Sequence, residues 1–250
     1  MNVLLLTKPD EKDAFLLDYT SRLLPTDEHP LHLLNVIPVP GDIPIMPDGQ
    51  VPHNCTEFDL SGYEEEKAAN LEKLQQYLPG TANVQRHSRV GNAIKIIQHY
   101  IKEHNIDLII SGAHVSSRAE DIFSATFAER LMHHITTPYI SLKCERGEQP
   151  LARIGILRAF KAPKKENLAV LKTLAQTFNA KIYLLKLMDA HSSDAKAEVR
   201  QKMEEFASIN SLESAENIIA EGTGELTNDV QQLVHDHNID LLALGHDPRK

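Results

Sequence analysis

The residues best suited to chemistry stand close together: Gly112, His114, Ser116 and Ser117, followed by Thr126. Glycine lets backbone N–H groups approach an anion, hydroxyls add donors, and a helix N-terminus behind them completes a phosphate-type site. The two stretches read Gly112-Ala113-His114-Val115-Ser116-Ser117-Arg118 and Ser124-Ala125-Thr126-Phe127-Ala128-Glu129-Arg130-Leu131. Arg118 adds a cation suited to phosphate or sulfate. His114 is a donor or acid–base group in a loop of the kind that binds ligands at the C-terminal edge of α/β sheets. The plainer reading is a polar loop whose serines cap the following helix and whose histidine closes it. No catalytic residue is assigned, since no G-x-S-x-G nucleophile motif occurs. For a weak ATPase working at this loop, Asp121 is the carboxylate considered as a metal ligand.

Thirteen histidines raise the question of a metal. The close sets are His133-His134 and His235-Asp236-His237, with His29 and His32 near a predicted strand. None has the paired His/Cys spacing of structural zinc or the H-E-x-x-H helix pattern. Adjacent helical residues point about 100° apart, which separates His133 from His134. No metal-binding residue is assigned, and a small-ligand or zinc sensor using the histidines is kept as an alternative. His104 and His237 fall at matching helix ends, where the macrodipole favours them.

The elements that must position these residues come from a duplication. His104-Asn105-Ile106-Asp107-Leu108-Ile109-Ile110-Ser111-Gly112 returns 133 residues later as His237-Asn238-Ile239-Asp240-Leu241-Leu242-Ala243-Leu244-Gly245. Gly91 matches Gly224 at that offset, whereas Asn2–Leu6 matches Arg153–Leu157 at 151. The first copy therefore holds 18 extra residues, placed within Pro38–Gly62 with its five prolines and three glycines. Such composition predicts a long loop rather than a further element. A lid over the pocket and a disordered excursion are the two readings of it, and its Ile43, Ile45, Met46, Val51 and Phe58 favour some packing against the domain.

Each copy reads β-α-β-α-β-α-β up to its glycine. Apolar runs predict buried strands at Val3–Leu6, Leu31–Val36, Leu108–Ile110, Ile154–Leu157, Ile182–Leu187 and Leu241–Leu244. Helical spacing marks Ala14 to Leu24, Asn92–Lys102, Leu168 to Phe178 and Glu225–His235, and Glu64-Glu65-Glu66 opens a helix reaching Leu78. The first copy continues into a helix, about Phe123–His134, and a last strand, Tyr139–Leu142, expected at a sheet edge. The fold class is α/β: two tandem Rossmann-like domains with parallel sheets flanked by helices. The first spans 1–146, including the Pro-rich loop 38–62; the second spans 151–250 and lacks the last helix and strand.

A net charge of −9 disfavours binding to nucleic acid. Cys55 and Cys144 form neither a disulfide framework nor a metal spacing. No apolar run approaches the roughly 20 residues of a membrane span, and Met1-Asn2-Val3 enters a strand at once, without a signal peptide. A cytoplasmic setting is expected.

Gly112-x-His114, Ala128-Glu129-Arg130 and Thr136-Thr137-Pro138-Tyr139-Ile140, with the duplicated Ile-Asp-Leu signature, resemble the universal stress protein family in its tandem form. The resemblance implies the HUP/Usp variant of the fold and a stress-response or regulatory binding role rather than turnover of a metabolite. Nucleotide-binding members carry G-x2-G-x9-G-[ST]; here Gly112 and Thr126 match, while Val115 and Ala125 replace glycines. The family also places an aspartate near the end of the first strand, where Thr7 or Lys8 and Arg158 or Ala159 stand. The implied ATP site is thus degenerate or absent, with ATP considered only for the first domain. The resemblance further implies pairing between domains or in a homodimer, with an unidentified protein partner.

Overall fold

The computed structural model describes residues 1–9, 11–24, 28–52, 58–77, 83–112, 125–142, 151–188 and 196–245, with the backbone alone for 11–15 and 125–126. The chain divides into two compact units, Met1–Gly147 and Glu148–His246.

In the first unit the order is β1 (Val3–Leu6), α1 (Glu11–Leu23), β2 (Leu31–Pro38), α2 (Ser61–Gln75), β3 (Val84–Gly91), α3 (Ala93–Glu103), β4 (Leu108–Gly112), α4 (Ala125–Met132) and β5 (Tyr139–Leu142). Its five strands are parallel in the order β3-β2-β1-β4-β5, so β5 is an edge strand as expected. Apolar side chains cover both faces. Leu4, Leu6, Leu34, Val36 and Ile109 meet Ile97 and Tyr100 of α3 and Phe127 and Leu131 of α4. On the other face α2 lies against β2 and β3, and Arg86 donates to the Leu74 and Tyr77 carbonyls, satisfying acceptors that the end of α2 leaves over. Helix α2 starts three residues before Glu64 because Asp59 accepts from the Ser61 N–H and hydroxyl. Leu78, its expected last residue, lies outside the described residues.

The second unit runs β6 (Arg153–Leu157), α5 (Ala169–Phe178), β7 (Lys181–Met188), α6 (Lys196–Ile209), β8 (Glu216–Glu221), α7 (Leu226–Asp236) and β9 (Leu241–Leu244). Its smaller parallel sheet has the order β8-β7-β6-β9. Helices α5 and α6 cover one face through Leu171, Val199, Met203 and Phe206; Leu233 of α7 packs on the other with Tyr183, Leu185 and Ile239.

The duplicated motif is a latch. His104 and His237 are the C-caps of α3 and α7, and Asn105 and Asn238 turn left-handed at φ 48°. The next N–H groups, of Ile106 and Ile239, reach back to the Ile101 and Val234 carbonyls at 3.0 and 2.9 Å, ending each helix in a Schellman turn. Both isoleucines are buried. Asp107 then accepts from the Asn2 N–H at 2.7 Å, and Asp240 from Ala152 and Arg153 at 2.9 and 2.8 Å. One tetrapeptide thus stops a helix, turns the chain and fixes the start of the central strand.

The Pro-rich segment is a loop through its described parts. Ile43 and Val51 are buried with Ile37 and Val90, and Val39, Phe58, Leu60 and Tyr63 pack on them; Ile45 and Met46 are half-buried. Gly91 makes the docking sterically feasible, because a Cβ there would stand 2.1 Å from the Gly49 carbonyl oxygen. That oxygen accepts from the Asn92 N–H, so the loop grips the start of α3.

Candidate functional site

Strand order reverses between β1 and β4 in the first unit and between β6 and β9 in the second, and such switch points are where open α/β sheets bind ligands. In the first unit the switch point is formed by Thr7, just past β1, and by Ser111 and Gly112 ending β4. Register aligns Leu6 with Ser111, so Thr7 stands beside Gly112. Thr7 is fully buried; its N–H donates to the Leu34 carbonyl at 3.0 Å, and its hydroxyl has no hydrogen-bond partner among the described residues. Ser111 Oγ and Tyr139 Oη share a hydrogen bond of 2.5 Å, and burial raises Tyr139 above the ordinary phenol range against the opposing bonds from Ser111 and Ser141. The Tyr139 hydroxyl therefore stays protonated at neutral pH and ties β5 to β4.

Of the residues chosen from sequence, the structure places Gly112 at this point, buried and paired with Leu142. Thr126 is the second residue of α4, its side chain outside the described residues. His114, Ser116 and Ser117 lie outside the described residues, as do Val115, Arg118 and Asp121.

A buried polar network beside the switch point escaped the sequence reading. Asn35 donates to the Thr7 carbonyl at 3.1 Å, while its own oxygen accepts from Asn70 Nδ2 at 3.1 Å and Ser88 Oγ at 3.0 Å. β1, β2, β3 and α2 are thereby pinned together below the C-terminal edge. The available signal was an asparagine inside the run Leu31–Ile37, which is apolar apart from His32 and Asn35, since a buried amide needs partners.

At the second switch point a cation fills the corresponding corner. Arg158, just past β6, pairs with Glu166, and its guanidinium carbon lies 5.4 Å from the centre of the Phe206 ring. A methyl group on Gly245 would meet this guanidinium at 3.6–3.8 Å. Burial holds Arg158 below the usual guanidinium range, which makes the Glu166 carboxylate its needed counter-charge. Phe160, two residues on, is buried at φ 52°, a backbone region that costs a non-glycine residue roughly 1–2 kcal/mol. Its edge-to-face contact with Phe206, 5.4 Å between centroids, helps hold it there.

The described part of the long loop docks at the ends of β2 and β3, to the side of the β1–β4 switch point. Among the described residues no three His, Cys, Asp or Glu side chains are grouped to hold a metal ion, and no helix is long and apolar enough to cross a membrane.

The family model for universal stress proteins matches residues 1–142. The chain belongs to the universal stress protein family. Solved structures agree on the fold. A universal stress protein from Archaeoglobus fulgidus is 14% identical, with 98% of this chain and 86% of that one covered at a TM-score of 0.66. A functionally unknown protein from Pseudomonas aeruginosa PAO1 is 13% identical, with 100% and 83% covered at 0.60. No curated protein matches the chain. At these identities the likeness to the two structures concerns the universal stress fold alone.

Proposed function

We propose that this universal stress protein is a cytoplasmic regulatory binding module of two tandem domains, with nucleotide binding degenerate or lost, and not an enzyme. The observation carrying this reading is the pair of switch-point residues. Thr7 and Arg158 stand where the family resemblance calls for a carboxylate, and Arg158 occupies the second corner while bound to Glu166. Val115 and Ala125, in place of glycines, point the same way: a β-branched residue suits a glycine conformation poorly and narrows the approach to a phosphate. These substitutions replace two of the glycines that a phosphate loop of this type uses, which supports regulation by binding over turnover. The edge strand β5 is the surface we assign to pairing of domains or of chains, since its outer edge carries no strand partner among the described residues.

A second reading, ATP held by the first domain alone, draws on the buried hydroxyl of Thr7 beside Gly112, which has no partner among the described residues. A buried hydroxyl without a partner is costly, and a ligand atom would offset that cost. Native mass spectrometry of the freshly purified protein, then ATP titration calorimetry, separates the two. The expected result is no co-purified nucleotide and no micromolar ATP binding. Micromolar binding abolished by Gly112→Val would establish the second reading and overturn the first.

A further inference from the structure

Away from the switch point, at the opposite end of the first sheet, three histidines and a tyrosine are packed ring to ring. His32 of β2, 3% exposed, shares a 3.0 Å hydrogen bond between its Nδ1 and Tyr100 Oη of α3. His104, the C-cap of α3, lies over Tyr100 at 4.1 Å between ring centres and over His32 at 5.1 Å. His87 of β3 completes the group, 5.3 Å from Tyr100 and 5.7 Å from His104. His104 Nε2 is itself buried without a hydrogen-bond partner among the described residues; the Glu103 carboxylate stands 3.7 Å away, within ion-pair range but beyond hydrogen-bond reach. Among the described residues Arg89 of β3 is a further charged group acting on the cluster, while β1 faces it with Leu4, the register neighbour of His32.

The second unit supplies a control at the same positions. Register puts Tyr183 where His32 stands, and Ile218 opposite Leu185 as His87 is opposite Leu34. Leu233 precedes its C-cap by the same interval as Tyr100, and these residues form an ordinary apolar cluster with Ile239. One frame therefore accepts either filling, and the first unit carries imidazoles at the two strand positions where the second carries Tyr183 and Ile218.

We propose that His32 and His87, packed under the C-cap ring of His104, form an acid sensor: as these two take up protons, the C-terminal turn of α3 separates from β2 and β3 and loosens the starts of β1 and β4. The route is short. The carbonyls of His104 and Asn105 accept from the Asn2 side chain, and Asp107 holds the Asn2 N–H, so the turn carrying His104 also anchors the strands that end at Thr7 and Gly112.

The direction of the pH effect follows from burial. Desolvation, then the neighbouring His104 and His87, lower His32 from an ordinary 6.5 to about 4. Desolvation, then Arg89 and His104, also lower His87, against the pull of Glu103. Between these limits the unfolded or opened chain binds more protons than the closed one, so stability present above 6.5 is lost as pH falls toward 4.

The test is hydrogen exchange with mass spectrometry on the full chain at about pH 7 and about pH 5, corrected for intrinsic exchange. Segments covering residues 97–106 should lose protection by roughly tenfold or more on acidification, while residues 230–239 hold theirs. The double variant His32→Tyr, His87→Ile, which installs the second unit's residues, should abolish the loss. Equal acid loss in both units, or an acid loss retained in the variant, overturns the proposal. Should the double variant fail to fold, His87→Gln, uncharged at every pH, should cut the loss at least about threefold, and an unchanged loss rejects the sensor. Ring resonances give an independent reading: titration of His32 near 6.5 in an intact folded spectrum would also overturn it.

Discussion

The first unit follows its central strand with Thr7 and packs α3 on His32 and His87; the second follows it with Arg158 and packs α7 on Tyr183 and Ile218. Both keep the latch of C-cap histidine, left-handed asparagine, buried isoleucine and strand-anchoring aspartate. The difference separates two kinds of position. Those that close the backbone frame are held in common, whereas those facing the switch point and the helix interface have diverged in charge. The copies thus share an architecture without sharing a site.

The sharpest break in the comparison should come at the paired glycines. Gly91 and Gly224 both have positive φ, 150° and 101°, but only Gly91 is overlaid by another segment. Gly91→Ala must push Gly49 and the long loop off the end of β3, and we expect about 4 kcal/mol of destabilisation from overpacking and backbone strain together. Gly224→Ala, with nothing within 4 Å of the new methyl, should cost about 1–2 kcal/mol from backbone conformation alone. Urea unfolding of the two variants checks the ratio, and equal losses would mean that the loop contributes nothing at Gly91.

Next in size is the buried amide. Asn35→Ala strands Asn70 and Ser88 without their acceptor, and a loss of about 2–3 kcal/mol is expected. Its counterpart in register is Lys186 of β7, half-buried and in no such network among the described residues, so Lys186→Ala should fall within about 0.5 kcal/mol of the parent. Thermal or denaturant melts that rank these two the other way would show the polar network to be incidental.

The sequence disclosed the frame because the frame is local. Continuous apolar runs marked β1, β2, β4, β6, β7 and β9, and 3.6-residue spacing marked the helices between them. No residues were assigned to β3 or β8: Gln85, Arg86, His87, Ser88 and Arg89 alternate no apolar face, β8 offers only the short run Ile218-Ile219-Ala220, and an edge strand needs less apolar surface than a central one. The site was harder. Gly112 was readable from its motif, but the Asn35–Asn70–Ser88 network joins residues far apart in sequence, and only the sheet register brings them together. His104 was placed correctly at a helix end and explained by the macrodipole; its ring contacts with His32 and Tyr100 show that packing determines its role.

The two aspartates test the shared part of the frame. Asp240 accepts from two backbone N–H groups and Asp107 from one. Charge-assisted bonds to strand-initiating amides predict about 2 kcal/mol for Asp240→Ala and about 1 kcal/mol for Asp107→Ala. Comparable losses, measured by denaturant unfolding, would mean that the latch acts through its turn and hardly through its carboxylate.

A modest effect is expected at the most divergent position. Arg158→Thr gives the second switch point the residue of the first, and it removes both the partner of Glu166 and the cation over Phe206. Both members of the ion pair retain some exposure, 23% and 18% of their side chains, so water can take over part of the solvation of Glu166. A net loss of about 1 kcal/mol is therefore expected rather than the larger cost of a fully buried charge left unpaired. Glu166→Gln in the same background should recover most of that loss, because the uncompensated charge is then gone. A double-mutant cycle with no coupling would show that Arg158 fills the corner by its packing on Phe206 and Gly245 alone, and the divergence between the units would then be one of shape and not of charge.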